Sequence, residues 1–220
     1  MIADPARFIS DQTRLAPVDF VPEIRLHQAD EATALWHLTE ATLDQADLPP
    51  PFWAFAWAGG QGLARYILDH PETVRGKRVL DFASGSGLVA IAAARAGASH
   101  VEAVDIDPFA VAAIALNASA NGVAIEAHRA DWIGKDLPDV DVLLAGDVFY
   151  DRGFAARLLP WLERLGQAGV TVIAGDPDRA YAPIAGRRDL AVYEVPVHSA
   201  LEDAAMKRVR VLRLVISELF

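Results

Sequence analysis

Residues 79–92 constrain the fold of this chain more than any other segment, because they predict a buried strand, a tight turn and a helix in immediate succession. The apolar strand ends at a carboxylate, Asp81, and the turn after it consists of small residues, Ala83-Ser84-Gly85-Ser86-Gly87. In α/β proteins such a unit presents backbone N–H groups to a ligand at the carboxyl edge of a parallel sheet. The segment therefore predicts a bound small-molecule cofactor at this turn.

Apolar strand-like runs alternate with helical patterns from Val79 onward, which predicts βα units and a mostly parallel sheet. The predicted strands are residues 78–81, 100–105, 124–129, 140–146 and 170–175. The predicted helices between them are residues 88–96, 108–121 and 152–165. Residues 191–197 and 208–217 alternate as two further strands, and they predict a closing antiparallel hairpin.

The first part of the chain predicts two amphipathic helices, over residues 31–43 and 60–68, joined by a stiff connector rich in proline and aromatic residues. A length of 220 residues suits one domain with an added terminal segment. We therefore expect residues 1–50 to form a helical extension packed on the core. Residues 51–220 are expected to form the cofactor-binding domain as a single globular unit.

Charge and composition restrict the partners. The chain has no cysteine, which excludes a disulfide framework and thiolate ligands, and its six histidines show no metal spacing, so no metal site is predicted. A formal net charge of −10 disfavours nucleic acid and favours a cationic partner surface. The chain shows neither a signal-peptide pattern nor an uncharged run of membrane-spanning length, so we expect a cytoplasmic protein with no membrane partner.

Two cofactor classes fit the glycine turn, and Asp81 separates them. The run Gly85-Ser86-Gly87-Leu88-Val89-Ala90 satisfies the dinucleotide fingerprint G-x-G-x-x-G/A. A carboxylate immediately before the turn would, however, repel a pyrophosphate, whereas it attracts the ammonium group and the sulfonium of S-adenosylmethionine. The pattern therefore favours S-adenosylmethionine, with Ala83 standing where this class usually has its first glycine.

A second acid follows the next predicted strand. Asp105 lies 20 residues after Gly85, at the place expected for a carboxylate that accepts both ribose hydroxyls. Ile106 beside it is assigned to the same cofactor site. Asp107 precedes Pro108 and is expected to cap the following helix.

Asp131 and Trp132 follow the third strand of the predicted sheet. There a carboxylate is able to accept the adenine amino group, and an indole is able to cover the ring. The alternative is an aspartate helix cap beside a half-buried tryptophan.

Four stretches carry a resemblance to a known family, and they are residues 21–26, 51–66, 146–151 and 175–177. With the glycine turn, they make the chain resemble a class I S-adenosylmethionine-dependent methyltransferase. Among those enzymes it is similar to the electron transfer flavoprotein β-subunit lysine methyltransferases. These enzymes share an acid-x-x-aromatic motif after their fourth strand, which here is Asp147-Val148-Phe149-Tyr150.

The resemblance implies a Rossmann-like seven-stranded sheet of order 3-2-1-4-5-7-6, with the last strand antiparallel and helices on both faces. It implies methyl transfer from S-adenosylmethionine to lysine side chains of the flavoprotein β subunit, with S-adenosylhomocysteine as product. Asp147 would accept N–H bonds from the arriving amine, and Tyr150 would form an aromatic wall. Trp57 would lie over the methionine or ribose side of the donor, with Gly59 and Gly60 permitting close backbone approach. Gly85 and Gly87 of the turn are assigned to the same cofactor site.

Other interpretations of these residues stay open at this point. Asp147 is also placed to cap the helix that begins near Arg152, although Asp151 suits that role better. Tyr150 is as well suited to packing as to substrate contact. Alternative acceptors are another protein, such as a ribosomal protein, a small molecule or RNA. An NAD-dependent oxidoreductase and a non-catalytic cofactor-binding module are the remaining alternatives.

Overall fold

A computed structural model of the chain describes residues 4–29, 35, 50–197 and 205–215. Within these residues the helices are α1 Pro5–Gln12, α2 Ala58–Asp69, α3 Leu88–Arg95, α4 Pro108–Ala120 and α5 Arg152–Gln167. The strands are β1 Arg14–Val18, β2 Val21–Gln28, β3 Arg78–Phe82, β4 His100–Asp105, β5 Glu126–Arg129, β6 Val142–Gly146, β7 Thr171–Asp176, β8 Arg187–Pro196 and β9 Met206–Leu214.

Seven of these strands form one mixed sheet in the order β5-β4-β3-β6-β7-β9-β8. Numbered from β3, this is the predicted order 3-2-1-4-5-7-6. The five strands β3 to β7 are joined by parallel pairing. Strand β9 runs antiparallel to both β7 and β8, which confirms the closing hairpin and the antiparallel last strand. The carboxyl ends of β3, β4, β6 and β7 therefore lie side by side at one edge.

Helices cover both faces of the sheet, as predicted, because successive side chains of each strand point to opposite sides. In β3, Val79 belongs to a buried cluster with α2 and α3, whereas Leu80 belongs to a second cluster with α5. Both strand residues are at most 1% exposed. The central strands β3, β6 and β7 are thus buried on both faces, which is why their sequences are nearly continuous apolar runs.

Two flanking helices begin at the predicted aspartate caps. The Phe109 backbone N–H donates to Asp107 Oδ1 at 2.8 Å, and the Phe154 N–H donates to Asp151 Oδ1 at 2.8 Å. Pro108 is the first residue of α4, where its missing N–H has no intrahelical partner to lose. These two carboxylates fix where α4 and α5 leave the carboxyl edge of the sheet.

The described part of the first 50 residues is not helical throughout. After α1, strands β1 and β2 form an antiparallel hairpin that the sequence analysis did not identify. Ile24 of β2 is fully buried in the same cluster as α3, and Ile9 of α1 is buried with Trp53 and Phe109. The helix predicted over residues 31–43 lies outside the described residues except for Leu35, which is buried. The division at residue 50 remains a prediction.

The element bounds differ from the predicted ones mainly in the hairpin. Strand β8 already begins at Arg187, where Arg187 pairs with Leu214 and Arg188 with Arg213. The first residues of β8 were not predicted because they are charged. Charged residues are suited to an edge strand, but they interrupt the apolar alternation by which a strand is identified. Residues 216 and 217, which belong to the last predicted strand, lie outside the described part. No helix in the described ranges is both long enough and apolar enough to cross a bilayer.

Candidate active site

Four aspartates lie at the carboxyl ends of four adjacent parallel strands. They are Asp81 in β3, Asp105 at the end of β4, Asp147 directly after β6 and Asp176 at the end of β7. In each case burial raises the pKa of the carboxyl group above its ordinary value. Strand ends of a doubly wound sheet are where such folds bind ligands. This edge of the sheet, which is where such folds place their ligand crevice, thus carries four acidic groups.

The turn between β3 and α3 depends on a left-handed backbone at three positions. Ala83, Gly85 and Gly87 have φ values of 52°, 55° and 82°. Gly87 is also close to α4, since a Cβ atom there would lie 3.3 Å from Ile114 Cα. Ala83 takes this conformation despite its side chain, which explains why glycine is the usual residue at this position of the family motif.

Asp81 is tied to the turn and to the helix that follows it. Its Oδ2 accepts from the Ser84 hydroxyl at 2.6 Å and from the backbone N–H of Ala90, the third residue of α3, at 3.0 Å. The carboxyl group is 1% exposed, and burial raises its pKa to about 7. Asp81 therefore caps α3 from the preceding strand, a role that the sequence analysis did not consider. Its contact with a cationic cofactor stays a prediction.

Asp105 closes the same turn from the neighbouring strand. Its Oδ2 accepts from the Gly85 N–H at 2.9 Å, and its Oδ1 accepts from the Asp107 N–H at 3.0 Å. The structure thus brings Asp105 onto the glycine turn, and its contact with the ribose hydroxyls remains a prediction. Ile106 beside it is 59% exposed, which leaves an apolar surface at the edge of the crevice.

Asp131 and Trp132 lie beyond β5 and have partners of their own. Asp131 Oδ1 accepts from the Ile133 N–H at 3.0 Å, and its Oδ2 pairs with the Arg157 guanidinium at 2.9 Å. The Trp132 ring lies 5.3 Å from the His128 ring, centroid to centroid, and the Lys135 Nζ lies 5.5 Å from it. An adenine contact for either residue remains a prediction.

Trp57 and Tyr150 are joined through Phe52, a residue that the sequence analysis left in the connector. The Phe52 ring centroid lies 5.7 Å from each of the other two rings. The Trp57 indole N–H donates to the Phe52 carbonyl at 2.9 Å, and Tyr150 is 50% exposed. The only advance signal for Phe52 was its position in an aromatic-rich run. The connector also approaches the turn, since a Cβ on Gly85 would lie 4.0 Å from the Phe52 carbonyl oxygen.

Asp147 caps a different helix from the one considered in the sequence analysis. Its Oδ2 accepts from the backbone N–H of Gly60, the third residue of α2, at 2.9 Å. The N-cap residue of α2 is Trp57, which has no side-chain acceptor of its own. Asp151 caps α5 instead. The backbone at Asp147 is left-handed, with φ of 56°, and its N–H donates to the Gly175 carbonyl at 2.9 Å.

Arg179 is the charged partner of Asp147. Its Nη2 lies 3.3 Å from Asp147 Oδ1, and its own backbone N–H donates to Asp176 Oδ1 at 2.8 Å. Burial raises the pKa of Asp147 to about 6, and the Arg179 charge partly opposes that rise. The end of β7 therefore contributes an acid, Asp176, and the segment after it contributes a cation, Arg179. Asp176 belongs to the stretch of residues 175–177 that carries part of the family resemblance.

The crevice suits a cationic nucleoside better than a dinucleotide. The Gly85 N–H, a donor of the kind that a pyrophosphate would need, already donates to Asp105. Asp81 and Asp105 add carboxyl groups beside the turn, where a pyrophosphate would lie. They are suited to an ammonium group, a sulfonium and ribose hydroxyls. The residues present therefore fit S-adenosylmethionine.

Comparisons with known proteins agree with this fit. A family model described as ribosomal protein L11 methyltransferase (PrmA) matches residues 66–146. The electron transfer flavoprotein beta subunit lysine methyltransferase of Xenopus laevis is 39% identical over 178 residues, which cover 80% of this chain and 71% of that protein. The protein of the same name from Rattus norvegicus is 41% identical over 163 residues, which cover 72% of this chain and 62% of that protein.

Among solved structures, the Pyrococcus abyssi tRNA (uracil-54, C5)-methyltransferase in complex with S-adenosyl-L-homocysteine matches with a TM-score of 0.53. The match covers 71% of this chain and 38% of that chain, at 20% identity. At that identity the likeness shows the fold alone, which is the Rossmann-like methyltransferase fold predicted from the sequence.

Proposed function

Because the chain belongs to the electron transfer flavoprotein β-subunit lysine methyltransferase family, we propose that it is an S-adenosylmethionine-dependent protein-lysine N-methyltransferase. Its proposed acceptor is the β subunit of electron transfer flavoprotein. The observation that carries the proposal is the placement of Asp147 at the carboxyl edge of the sheet. It follows β6, the strand next to β3 and its glycine turn, and it accepts from Gly60 of α2. The compartment in which we expect this reaction is the cytoplasm.

S-adenosylmethionine supplies a methyl group on a sulfonium, which the lysine nitrogen attacks in line while the C–S electron pair returns to sulfur. The task of the protein is mainly to align the amine and to exclude water. Asp147 is suited to accept N–H bonds from the amine, because its carboxylate is only 11% exposed and is held in place by α2. Burial and the like charge of the sulfonium would together lower the pKa of an approaching lysine, which must lose a proton before attack.

The aromatic residues would enclose the reacting groups. Tyr150 presents a half-exposed ring beside Phe52 and is proposed as the wall of the lysine channel, where an aromatic face attracts a cationic head group. Trp57 is held by its indole hydrogen bond and is proposed to lie over the donor.

The remaining proposed contacts bind the donor. Asp81 with the turn residues Ala83, Gly85 and Gly87 would bind its methionine part. Asp105 would accept the ribose hydroxyls. Ile106, Asp131 and Trp132 would surround the adenine. Of these residues, Asp105 has the most direct support, because it already bonds to the turn through Gly85.

Replacing Asp147 with asparagine tests the catalytic assignment. Asparagine retains an oxygen for the Gly60 N–H but has no charge to align an amine. We expect turnover to fall by about 100-fold or more, with S-adenosylhomocysteine affinity unchanged within about twofold. Titration calorimetry and a methyl-transfer assay on purified electron transfer flavoprotein measure the two quantities. Equal turnover in this variant would exclude the proposed role.

Two controls make that test specific. Asp151→Asn changes an exposed acid nearby that caps α5, and it should leave turnover within about twofold because asparagine is an equally good cap. Asp105→Ala should instead weaken S-adenosylhomocysteine binding by about tenfold or more, since it removes a charged hydrogen-bond acceptor.

A second acceptor class is favoured by the family model that matches residues 66–146, since its description names ribosomal protein L11. Parallel assays with purified flavoprotein and with ribosomal protein L11 discriminate the two. Methyl incorporation into L11 alone would replace the flavoprotein as the acceptor. Nucleic acid is disfavoured as a partner by the net charge of −10.

A further inference from the structure

Asp147, Asp176 and Arg179 form a cluster at the carboxyl ends of β6 and β7, two acids with one guanidinium between them. The Arg179 Nη2 lies 3.3 Å from Asp147 Oδ1. The Arg179 backbone N–H donates to Asp176 Oδ1, and this bond fixes Arg179 in the turn that follows Asp176. The methyl-transfer mechanism above uses Asp147 and leaves the other two residues without a role.

Asp176 has a buried oxygen that is unsatisfied. The residue is 1% exposed, and its Oδ2 has no hydrogen-bond partner in the part of the chain that the structure describes. A buried carboxylate oxygen without a donor is costly, and such groups in folded proteins call for an explanation. The Arg179 charge lowers the pKa of Asp176, as it lowers the pKa of Asp147, and so partly opposes the effect of burial on both. Asp176 is thus a second acceptor within the field of the same guanidinium.

The contact between Arg179 and Asp147 is long for a charged hydrogen bond. Such bonds are ordinarily about 2.7 to 2.9 Å, so a separation of 3.3 Å indicates a weak one. The guanidinium nevertheless donates to the oxygen on which the proposed acceptor amine would have to be aligned. An amine and Arg179 would therefore compete for Asp147 Oδ1.

We propose that Arg179 is a specificity-determining residue that occupies the acceptor position on Asp147 until a cationic amine displaces it onto the free oxygen of Asp176. The exchange keeps each buried carboxylate beside a cation. A hydroxyl group or water carries no charge with which to replace the guanidinium beside Asp147. The site therefore selects amines as acceptors. This inference rests on the proposed amine methylation, but it does not depend on the flavoprotein being the acceptor.

The test uses n-butylamine as the probe, because it reproduces the end of a lysine side chain, added to protein saturated with S-adenosylhomocysteine. In the unsubstituted protein, we expect the amine to shift the NMR signal of the Arg179 Nε–Hε group. In Arg179→Gln the amine should bind about tenfold more tightly, since no cation has to be displaced. Arg179→Lys, which retains a cation, should bind it within about threefold of the unsubstituted protein.

Asp176→Asn tests where the guanidinium goes. It should weaken n-butylamine binding by about tenfold, and the loss should shrink to about twofold when Arg179→Gln is also present, because no guanidinium then needs an acceptor. The S-adenosylhomocysteine affinity and melting temperature of each variant show that it is folded.

The outcomes distinguish failure of the Arg179 displacement from failure of the proposed amine methylation. If the amine binds while the Arg179 signal stays unmoved, or if Arg179→Gln leaves binding unchanged or weaker, Arg179 is a static partner of Asp147 and the inference is wrong. If the amine binds neither the unsubstituted protein nor Arg179→Gln, amine methylation itself fails together with the inference. Displacement of Arg179 without methylation of the flavoprotein supports the inference and refutes only that acceptor.

Discussion

Ala83 shows how a single residue departs from its family pattern and what that costs. Its φ of 52° lies in the left-handed region, which is unfavourable for an L-residue by roughly 1 to 2 kcal/mol. The surrounding structure maintains this conformation, because the Ser84 N–H donates to the Val104 carbonyl at 3.2 Å and the Gly87 N–H to the Ser84 carbonyl at 3.0 Å. The strain lies in the turn that is proposed to bind the donor, as is common at ligand sites.

Ala83→Gly should therefore stabilise the protein. Relief of the backbone strain exceeds the added entropy of glycine in the unfolded chain, and we expect a gain of about 0.5 to 1 kcal/mol in the free energy of unfolding. Urea denaturation measures it. Ala94→Gly in α3 is the matched control and should lose about 1 kcal/mol, since its backbone is helical. A loss at both positions would show that Ala83 is not strained.

Helix α2 is the element that connects the glycine turn to Asp147, the residue proposed to align the acceptor. Its first turn approaches the sheet so closely that backbone meets backbone, because a Cβ on Gly175 would overlap the Gly59 carbonyl oxygen and lie 2.8 Å from Leu63 Cβ. One turn further, a Cβ on Gly62 would lie 2.5 Å from Val209 of β9. This close approach is what brings the Gly60 N–H within reach of Asp147.

Gly175→Ala is expected to separate α2 from β7 and to destabilise the protein by at least about 3 kcal/mol, because the obstructing atoms are backbone and cannot move away alone. Gly60→Ala is the matched control in the same helix. Its Cβ would lie 3.9 Å from Leu88 Cδ2, an ordinary contact, so stability should change by less than about 1 kcal/mol. Equal effects in urea denaturation would contradict this account of the packing.

The molecule as a whole carries a formal net charge of −10, and the acids at its sheet edge concentrate part of that charge in the crevice. Such a field favours cationic ligands and a cationic acceptor surface over phosphates. The negative charge also distinguishes a site for S-adenosylmethionine from a site for a dinucleotide. Both kinds of site have a glycine turn and an acid after the second parallel strand.

Thermal stability should respond to the correct cofactor class. S-adenosylhomocysteine at about 100 times its dissociation constant adds about 2.7 kcal/mol to the native state, which corresponds to a rise of about 5 to 10 °C in melting temperature for a domain of this size. NAD at the same concentration should leave the melting temperature unchanged. Differential scanning calorimetry decides between them. A shift with NAD alone would contradict the assignment of the crevice.

The strand-turn-helix unit and the alternation that follows it could be predicted because both are local. Asp81 and Gly87 are six positions apart, and Asp107 caps a helix that begins at the next residue. The turn residues, the helix cap and the apolar periodicity could therefore be identified from short segments of the sequence. The order of the sheet then followed from the family resemblance. The hairpin of β1 and β2 was not predicted, since β1 has only five residues and contains a proline. The alternation of Glu23-Ile24-Arg25-Leu26-His27 in β2 was the signal that could have identified it.

Residue spacing along the chain was enough to establish the type of fold, the turn and the acids that follow its strands, since these depend on neighbours in sequence. The partners of those acids depended on packing between distant segments. Asp147 bonds to Gly60, 87 positions earlier, and to Arg179, 32 positions later. Phe52 lies close to Trp57 in the sequence, but its ring also contacts Tyr150 in a distant segment. Contacts at such separations are decided by how helix and sheet surfaces fit together, which no local pattern records.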